Sequence, residues 1–545
     1  MGPHTLRAHL NYLFGNANKA RPVPSWPPDL FGSVASVLHC TGAYRHVIES
    51  WPPARGHRPG TWATWIRHIG LGWRRTWRPR SSASFVPRQV REWWEVIIDQ
   101  GATDLSEIAG HKSLCDALIQ LLAVADEACV GFGTPGGAID PVPSTSEDRA
   151  FDYAQELLIT DLDQRGATLC TSIHSTKLRV LPKLHTPQTG LTIRSLSHNV
   201  ALCHSNEIVP SWSVIPRAER KTKLNILLLP WPLTLSSDQF SAVPPSAHLL
   251  ANLPGRYGLF TFTAIEQSPL ETWLAGVVSE TKEHVEKIDG IIFPELSLTR
   301  RQFEAIRKTA VKEGAFLISG IAERASRAGF PGRNFLRFEV PLAEEYVFSL
   351  PEQDKHHRWQ LEGRQIGRYG LEKRLDANGL WWEYSRLKSR ILNFAALYDW
   401  LTVSVLICED LARPDPVGDL VRAVGPDLVI ALLMDGSQTP ERWSARYATV
   451  LADDPGCSVL TLTSLGMTQL GSPSDKAHAR NIALWKEAKG GPPSVITLDK
   501  DSSAIVLQLT LQEFEEWTAD GRTDGGTTCY PSLYNVVQVK PTISP

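Results

Sequence analysis

The sequence predicts an α/β protein: a layered sheet-and-helix domain over about residues 222–512, with a mixed, mainly helical domain (1–220) before it and a tail (513–545) after it. Three observations predict this. The run Leu401-Thr-Val-Ser-Val-Leu-Ile407 has six β-branched or apolar residues in seven and leads straight into Cys408-Glu409-Asp410. Such an unbroken run reads as a strand buried on both faces. Ile288-Asp-Gly-Ile-Ile-Phe-Pro-Glu295 is a second apolar run that ends in a carboxylate. Around both, short apolar runs alternate with helix-periodic stretches, as in a sheet covered by helices.

The whole chain sets the limits. At 545 residues it exceeds one ordinary core, so two domains are expected. With 42% hydrophobic and 21% charged residues, the composition favours neither a disordered nor a membrane class. A net charge of −2 confines any polyanion-binding role to a local patch. No apolar run reaches the roughly 20 residues of a membrane span, and Met1-Gly-Pro-His-Thr-Leu-Arg7 lacks the layout of a secretory signal. Eight scattered cysteines without a Cys-x-x-Cys pair predict a reducing, cytoplasmic setting. No cofactor is expected.

Taken in order, the first hundred residues hold eight of the eighteen tryptophans, Trp26, Trp51, Trp62, Trp65, Trp73, Trp77, Trp93 and Trp94. Nine arginines and no acid lie between Arg55 and Arg91. Arg74, Arg75, Arg78 and Arg80 are the centre of this stripe. Two readings stay open: phosphate contacts with rings stacked on bases, or arginine stems packed over buried indoles. Helix is expected over about 89–130, where Ala117, Leu118, Leu121, Leu122 and Ala125 share a face. A loop spans 131–146, a helix about 147–162, and short strands begin at Leu178, Leu191 and Val200. Cys170, His174, His185, His198, Cys203 and His204 fit no metal-ligand spacing, so no metal is expected.

From about 222 the alternation is regular: a strand from Leu224, a helix near 270–286, the strand ending at Glu295, a helix near 300–313, and strands from Ala315 and Tyr346. After Cys408 a helix to about Val424 leads to the strand from Asp427. A helix with Trp443, Tyr447, Val450 and Leu451 comes next, then a strand from Ser458 and two last strands near Val495 and Ala504. A linker is expected at 205–223, leaving the second domain able to stand alone.

Phe-Pro-Glu295, Leu-Ile-Ser-Gly-Ile-Ala-Glu-Arg324, Asn334, Lys355, Ile-Cys408-Glu-Asp, Gly425-Pro-Asp-Leu-Val-Ile and Ser-Leu-Gly466 follow one another in an order that resembles the nitrilase superfamily of carbon–nitrogen hydrolases. The resemblance covers about 222–512 and implies a four-layer α–β–β–α sandwich that self-associates through outer helices. It also implies a Glu295–Lys355–Cys408 triad cleaving a small-molecule amide through a thioester. In that scheme Glu295 is the base and Cys408 the nucleophile. Lys355 and the Glu409 backbone N–H hold the oxyanion. Glu362 and Glu409 would position substrate, Glu362 as the second acid of amidase members. Lys373 and Lys388 are the alternative lysines, because Gln353-Asp354 departs from the usual residues before Lys355.

A longer-than-usual segment, 363–390, has seven Arg or Lys and Trp381-Trp382, and reads as a lid or partner surface. Cys-Glu-Asp also resembles the glutamine-hydrolysing domain of NAD synthetases, although no ATP-pyrophosphatase motif is present. Two further readings stand beside the hydrolase: a nucleic-acid-associated or defence-system protein whose nitrilase-like domain serves a larger complex, and a degenerate scaffold.

Overall fold

The computed structural model describes residues 4–15, 22–50, 59–79, 85–135, 148–160, 166–204, 207–215, 221–244, 256–264, 270–325, 330–342, 346–388, 390–472 and 479–540, without the side chains of 50, 59, 60 and 160. Two large sheets organise it. The first runs in the order Val347–Ser349, Arg333–Pro341, Phe316–Glu323, Gly290–Ile292, Lys223–Leu228, Ala504–Phe514, Thr528–Val539, with Gln353–Asp354 also paired to Arg333–Pro341. The second runs Ser494–Thr497, Asn481–Lys486, Ser458–Thr463, Leu428–Leu433, Leu401–Ile407, Ile391–Tyr398, Val209–Val214.

Alternation along the strands decides which face goes where, because successive side chains point to opposite sides. In the first sheet Leu227, Ile291, Phe293, Leu317, Phe335 and Val506 pack with Leu270, Trp273 and Val277 of helix Leu270–Lys282 and with Phe303 and Ile306 of Arg300–Glu313. Their neighbours Ile226, Leu228, Ile292, Phe316, Ile318, Leu336 and Leu507 share a core with Val403, Val405 and Leu406 of the second sheet. The strand Leu401–Ile407 is buried at every position, as its apolar run requires. No helix among the described residues is long and apolar enough to cross a membrane.

Several sequence expectations meet a different arrangement. Residues 1–220 do not form a unit apart from the sheets: Val209–Val214 is the edge strand of the second sheet, parallel to Ile391–Tyr398. Its Trp212 stacks on Phe394 (5.4 Å between centroids) and donates to the Gly133 carbonyl at 2.8 Å. The stretch after Leu191 is a 3₁₀ turn, Ile193–Leu196, because Thr192 and Ser195 cap each other's backbone. The helix expected after Cys408 is broken into Cys408–Ala412, Pro414–Gly418 and Asp419–Val424, with Pro414 and Pro416 in the interruption.

Residues 513–540 are no loose tail. Thr528–Val539 pairs antiparallel along the whole of Ala504–Phe514, and the connection between them enters the N-terminal region. There all three guanidinium nitrogens of buried Arg522 have acceptors: Asp126 (2.9 Å), Glu127 (2.8 Å), Asp520 (3.1 Å) and the Leu196 carbonyl (2.7 Å). Nearby, His185 sits 3.2 Å from both Asp427 and Glu516, and Glu516 also takes the Thr186 N–H (2.6 Å) and Lys489 (3.0 Å).

The tryptophan-rich stretch is core. Trp26, Trp62, Trp73, Trp77 and Trp94 are buried around helix Lys112–Glu127, which helix Pro59–Thr76 crosses at Gly70; a Cβ there would lie 2.6 Å from that of Glu127. Arg74 is buried too, paired with Asp148 at 2.6 Å and lying 5.3 Å from the Phe132 ring centroid. The packing reading therefore accounts for these five indoles and for Arg74. Arg75 and Arg78 are exposed, and Arg80 lies outside the described residues.

Candidate active site

Two turns create the site. Among the described residues, Leu296 and Cys408 are the two non-glycine residues with positive φ, at 52° and 49°. That region is costly for any residue with a Cβ and collects at functional positions. One follows Glu295 at the end of strand Gly290–Ile292; the other is Cys408 itself, where Leu401–Ile407 ends. The Glu295 turn also needs a smooth floor. A Cβ on Gly320 would lie 2.5 Å from the Glu295 Cα, so only glycine fits behind it.

Lys355 arrives on the segment after Gln353–Asp354 and is 2% exposed. Its Nζ donates to Glu295 Oε1 at 2.8 Å and to Glu383 Oε2 at 2.7 Å. Asn334 Nδ2 bridges the same two carboxylates, at 2.7 Å to Glu295 Oε1 and 2.8 Å to Glu383 Oε1. Glu295 Oε2 is buried and accepts no hydrogen bond from the described residues. One carboxylate oxygen is thus anchored and the other left open.

The electrostatics follow. Burial raises the Glu295 pKa, Lys355 works against this, and Glu383 adds to it. Burial and Glu295 likewise hold the Cys408 thiol well above its ordinary range, offset by Lys355 and by the Met434 backbone N–H. Burial alone would lower Lys355, but Glu295, Glu383 and Cys408 push it well upward, so it stays a cation. Burial thus biases the thiol toward its neutral form, beside a desolvated carboxyl group with one open oxygen. Asp410 is pushed to about 8 by burial, with the His356 and His357 N–H groups pulling it back.

The sequence-derived residues separate here. Glu295, Lys355 and Cys408 come together. Glu362 does not: it is exposed and caps helix Gly363–Arg368, and the second acid in the cluster is Glu383. Glu383 ends strand Leu380–Glu383, which the 363–390 segment adds to a small sheet beside Tyr257–Phe262. That segment is thus built into the fold, and the acid follows Trp381-Trp382, the one signal in the sequence that marked it. The Glu409 carboxylate pairs with Arg413 at 3.2 Å, outside the cluster. Lys373 and Lys388 are exposed. Among the described residues no group of three or more His, Cys, Asp or Glu could hold a metal ion. A cavity of about 270 Å³ reaches Asn334 and Glu383, with Leu296, Phe262, Phe330 and Tyr384 on its walls.

No family model matches the sequence, and no curated protein matches it. Solved structures do. Among them are proteins of the nitrilase superfamily. An amidase from Nesterenkonia sp. shares 13% identity over 54% of this chain and 92% of its own, with a TM-score of 0.32. Saccharomyces cerevisiae Nit3, of branch 10 of the nitrilase superfamily, gives 13%, 54%, 93% and 0.33 for the same quantities. A glutamine-dependent NAD+ synthetase from Acinetobacter baumannii gives 14%, 59%, 49% and 0.33. The likeness covers about half of this chain, and its chemistry is read from the residues themselves.

Proposed function

We propose that the protein is a cysteine-dependent carbon–nitrogen hydrolase acting on a small amide, with its two sheets as the inner layers of a nitrilase-like sandwich. One observation carries this: a buried lysine held between two carboxylates, one of which keeps an open oxygen, beside a cysteine on a strained turn.

In this reading Glu295 Oε2 takes the thiol proton as Cys408 Sγ bonds to the amide carbon. The developing oxyanion is met by Lys355 and the Glu409 backbone N–H. Glu295 then returns its proton to the departing amine, and the C–N bond breaks to leave a thioester. Water, losing a proton to the same carboxylate, attacks the thioester; the C–S bond breaks, the acid is freed, and Glu295 returns the proton to Cys408 Sγ. One carboxyl thus alternates as base and acid. Glu383 and Asn334 keep Glu295 and Lys355 in register, and misplacement of reacting groups is costly.

The test is mass spectrometry of the intact protein with a panel of small amides. A substrate should leave an acyl adduct on Cys408 during turnover that disappears in Cys408→Ala, and Glu295→Gln, which lacks the base for acylation, should form little of it. An adduct on another cysteine, or turnover by Cys408→Ala, would rule the mechanism out.

A further inference from the structure

This mechanism leaves one buried carboxylate of the cluster without a task. Asp410 lies two residues after Cys408 and is 1% exposed. Its oxygens turn to the segment that carries Lys355. The His356 N–H reaches both of them at 3.1 Å, and the His357 N–H reaches Oδ1 at 2.9 Å. On the other side of the lysine, Gln353 donates to the Val405 carbonyl of the nucleophile's own strand (2.7 Å) and accepts the Asn393 N–H (3.0 Å). Lys355 therefore sits on a short stretch of backbone pinned twice to the element that ends in Cys408. The lower pin holds the strand; the upper one holds the turn on which the thiol stands.

We infer that Asp410 is a positioning residue, which ties the backbone after Lys355 to the nucleophile's turn and so fixes the ammonium relative to the thiol. The inference rests on the Glu295–Lys355–Cys408 chemistry proposed above. Its physical basis is geometric. Lysine is a point charge on a flexible four-carbon stem, and the Glu295 and Glu383 carboxylates orient only its tip. Backbone slack at 355–357 would let tip and thiol drift apart even with both carboxylates in place. Hydrogen bonds from two successive N–H groups to one buried carboxyl group remove that slack.

The experiment measures alkylation of Cys408 by iodoacetamide in the full-length protein, followed by peptide mapping. Lys355→Met removes the cation that favours the thiolate and should slow labelling by about tenfold for each unit by which the thiol pKa rises. Asp410→Asn should slow it in the same direction by several-fold. A merely structural role would do the opposite, since loosening a buried site exposes the thiol and speeds labelling. Asp427→Asn is the control: Asp427 accepts the Thr402 N–H at 2.6 Å at the far end of the same strand, and its loss should leave the rate unchanged. Labelling of Asp410→Asn at or above the native rate overturns the inference alone, as does equal slowing in Asp427→Asn. No slowing in Lys355→Met overturns the catalytic reading along with it. If Asp410→Asn does not fold, Asp410→Glu keeps the carboxyl group and lengthens the arm; it must also slow labelling, and a native rate counts against the inference.

Discussion

Among the described residues, the buried ionic clusters around Arg522 and around Lys355 are finished differently. Around Arg522 every guanidinium nitrogen has an acceptor, and the acids it meets come from helix Lys112–Glu127 and from its own turn. Around Lys355, one Glu295 oxygen has no partner among the described residues, and the adjoining turns hold Leu296 and Cys408 at positive φ. Burial of charge is costly in both. Where the cost is met by complete pairing, the cluster fastens chain segments together. Where one oxygen and two strained turns are left over, the remainder is what the proposed chemistry would use. Buried charge alone therefore does not mark a site; incomplete satisfaction beside strain does.

The sharpest way to break this contrast is to remove one residue from each cluster. Cys408→Ala should abolish turnover while the melting temperature stays close to native, because one small side chain at a strand end contributes little packing. Arg522→Ala should do the reverse. It leaves Asp126, Glu127 and Asp520 buried without a cation, at a cost of roughly 3–5 kcal/mol, and the fraction still folded should label at Cys408 at the native rate. Urea titration read beside alkylation kinetics separates the two. Slow labelling in folded Arg522→Ala would mean that the clusters are coupled.

Next in size is a pH effect on the fastening side. Burial alone would lower the His185 pKa, but Asp427 and Glu516 raise it to about 9. Its contribution is then fully present below the ordinary histidine value of 6.5 and lost as pH rises through 9. Glu516 is held near 2 against burial by His185 and Lys489, so its contribution is present above 4.5 and lost as pH falls through 2. Stability should therefore drop between pH 7 and 9 by up to roughly 3 kcal/mol, and His185→Gln should flatten that drop. An unchanged slope in the variant would locate the titration elsewhere. The smallest effects belong to the exposed residues. Glu362→Gln and the pair Arg75→Ala with Arg78→Ala should each shift stability by less than about 0.5 kcal/mol. Glu383→Gln, by contrast, should cut turnover sharply.

What was legible in the sequence follows the same division. Strands buried on both faces announce themselves, so Leu401–Ile407 and the run into Glu295 were readable as strands, whereas Lys355 was singled out by its place in the order of residues that carries the resemblance. Glu383 was not, because it reaches the cluster from a segment longer than usual, and loop length says nothing about where a strand will dock. Glu362 had the spacing but not the surroundings: a carboxylate that caps a helix in water looks identical in one dimension to one that holds a lysine. The unity of the two regions was hidden for a related reason. Val209–Val214 lies beside Ile391–Tyr398, and Arg522 beside Asp126, across sequence separations that no local periodicity records. The expected linker at 205–223 is partly this edge strand, so a fragment starting near 222 should expose the Ile391–Tyr398 edge and come down insoluble. A soluble, labelled fragment would restore the two-unit reading.

The seat of Ala504–Phe514, between Lys223–Leu228 and Thr528–Val539, also sets when the thiol can become special. A ribosome releases Glu295, Lys355 and Cys408 long before it releases this hairpin, and until then Lys223–Leu228 lacks a neighbour and Asp126 lacks Arg522. Pairings so distant along the chain form late. A nascent chain stalled before residue 500 should thus carry Cys408 as an ordinary thiol, labelled no differently from Cys40, and acquire the finished Glu295–Lys355–Cys408 cluster, with the labelling rate of the folded protein, only once synthesis has passed the last strand.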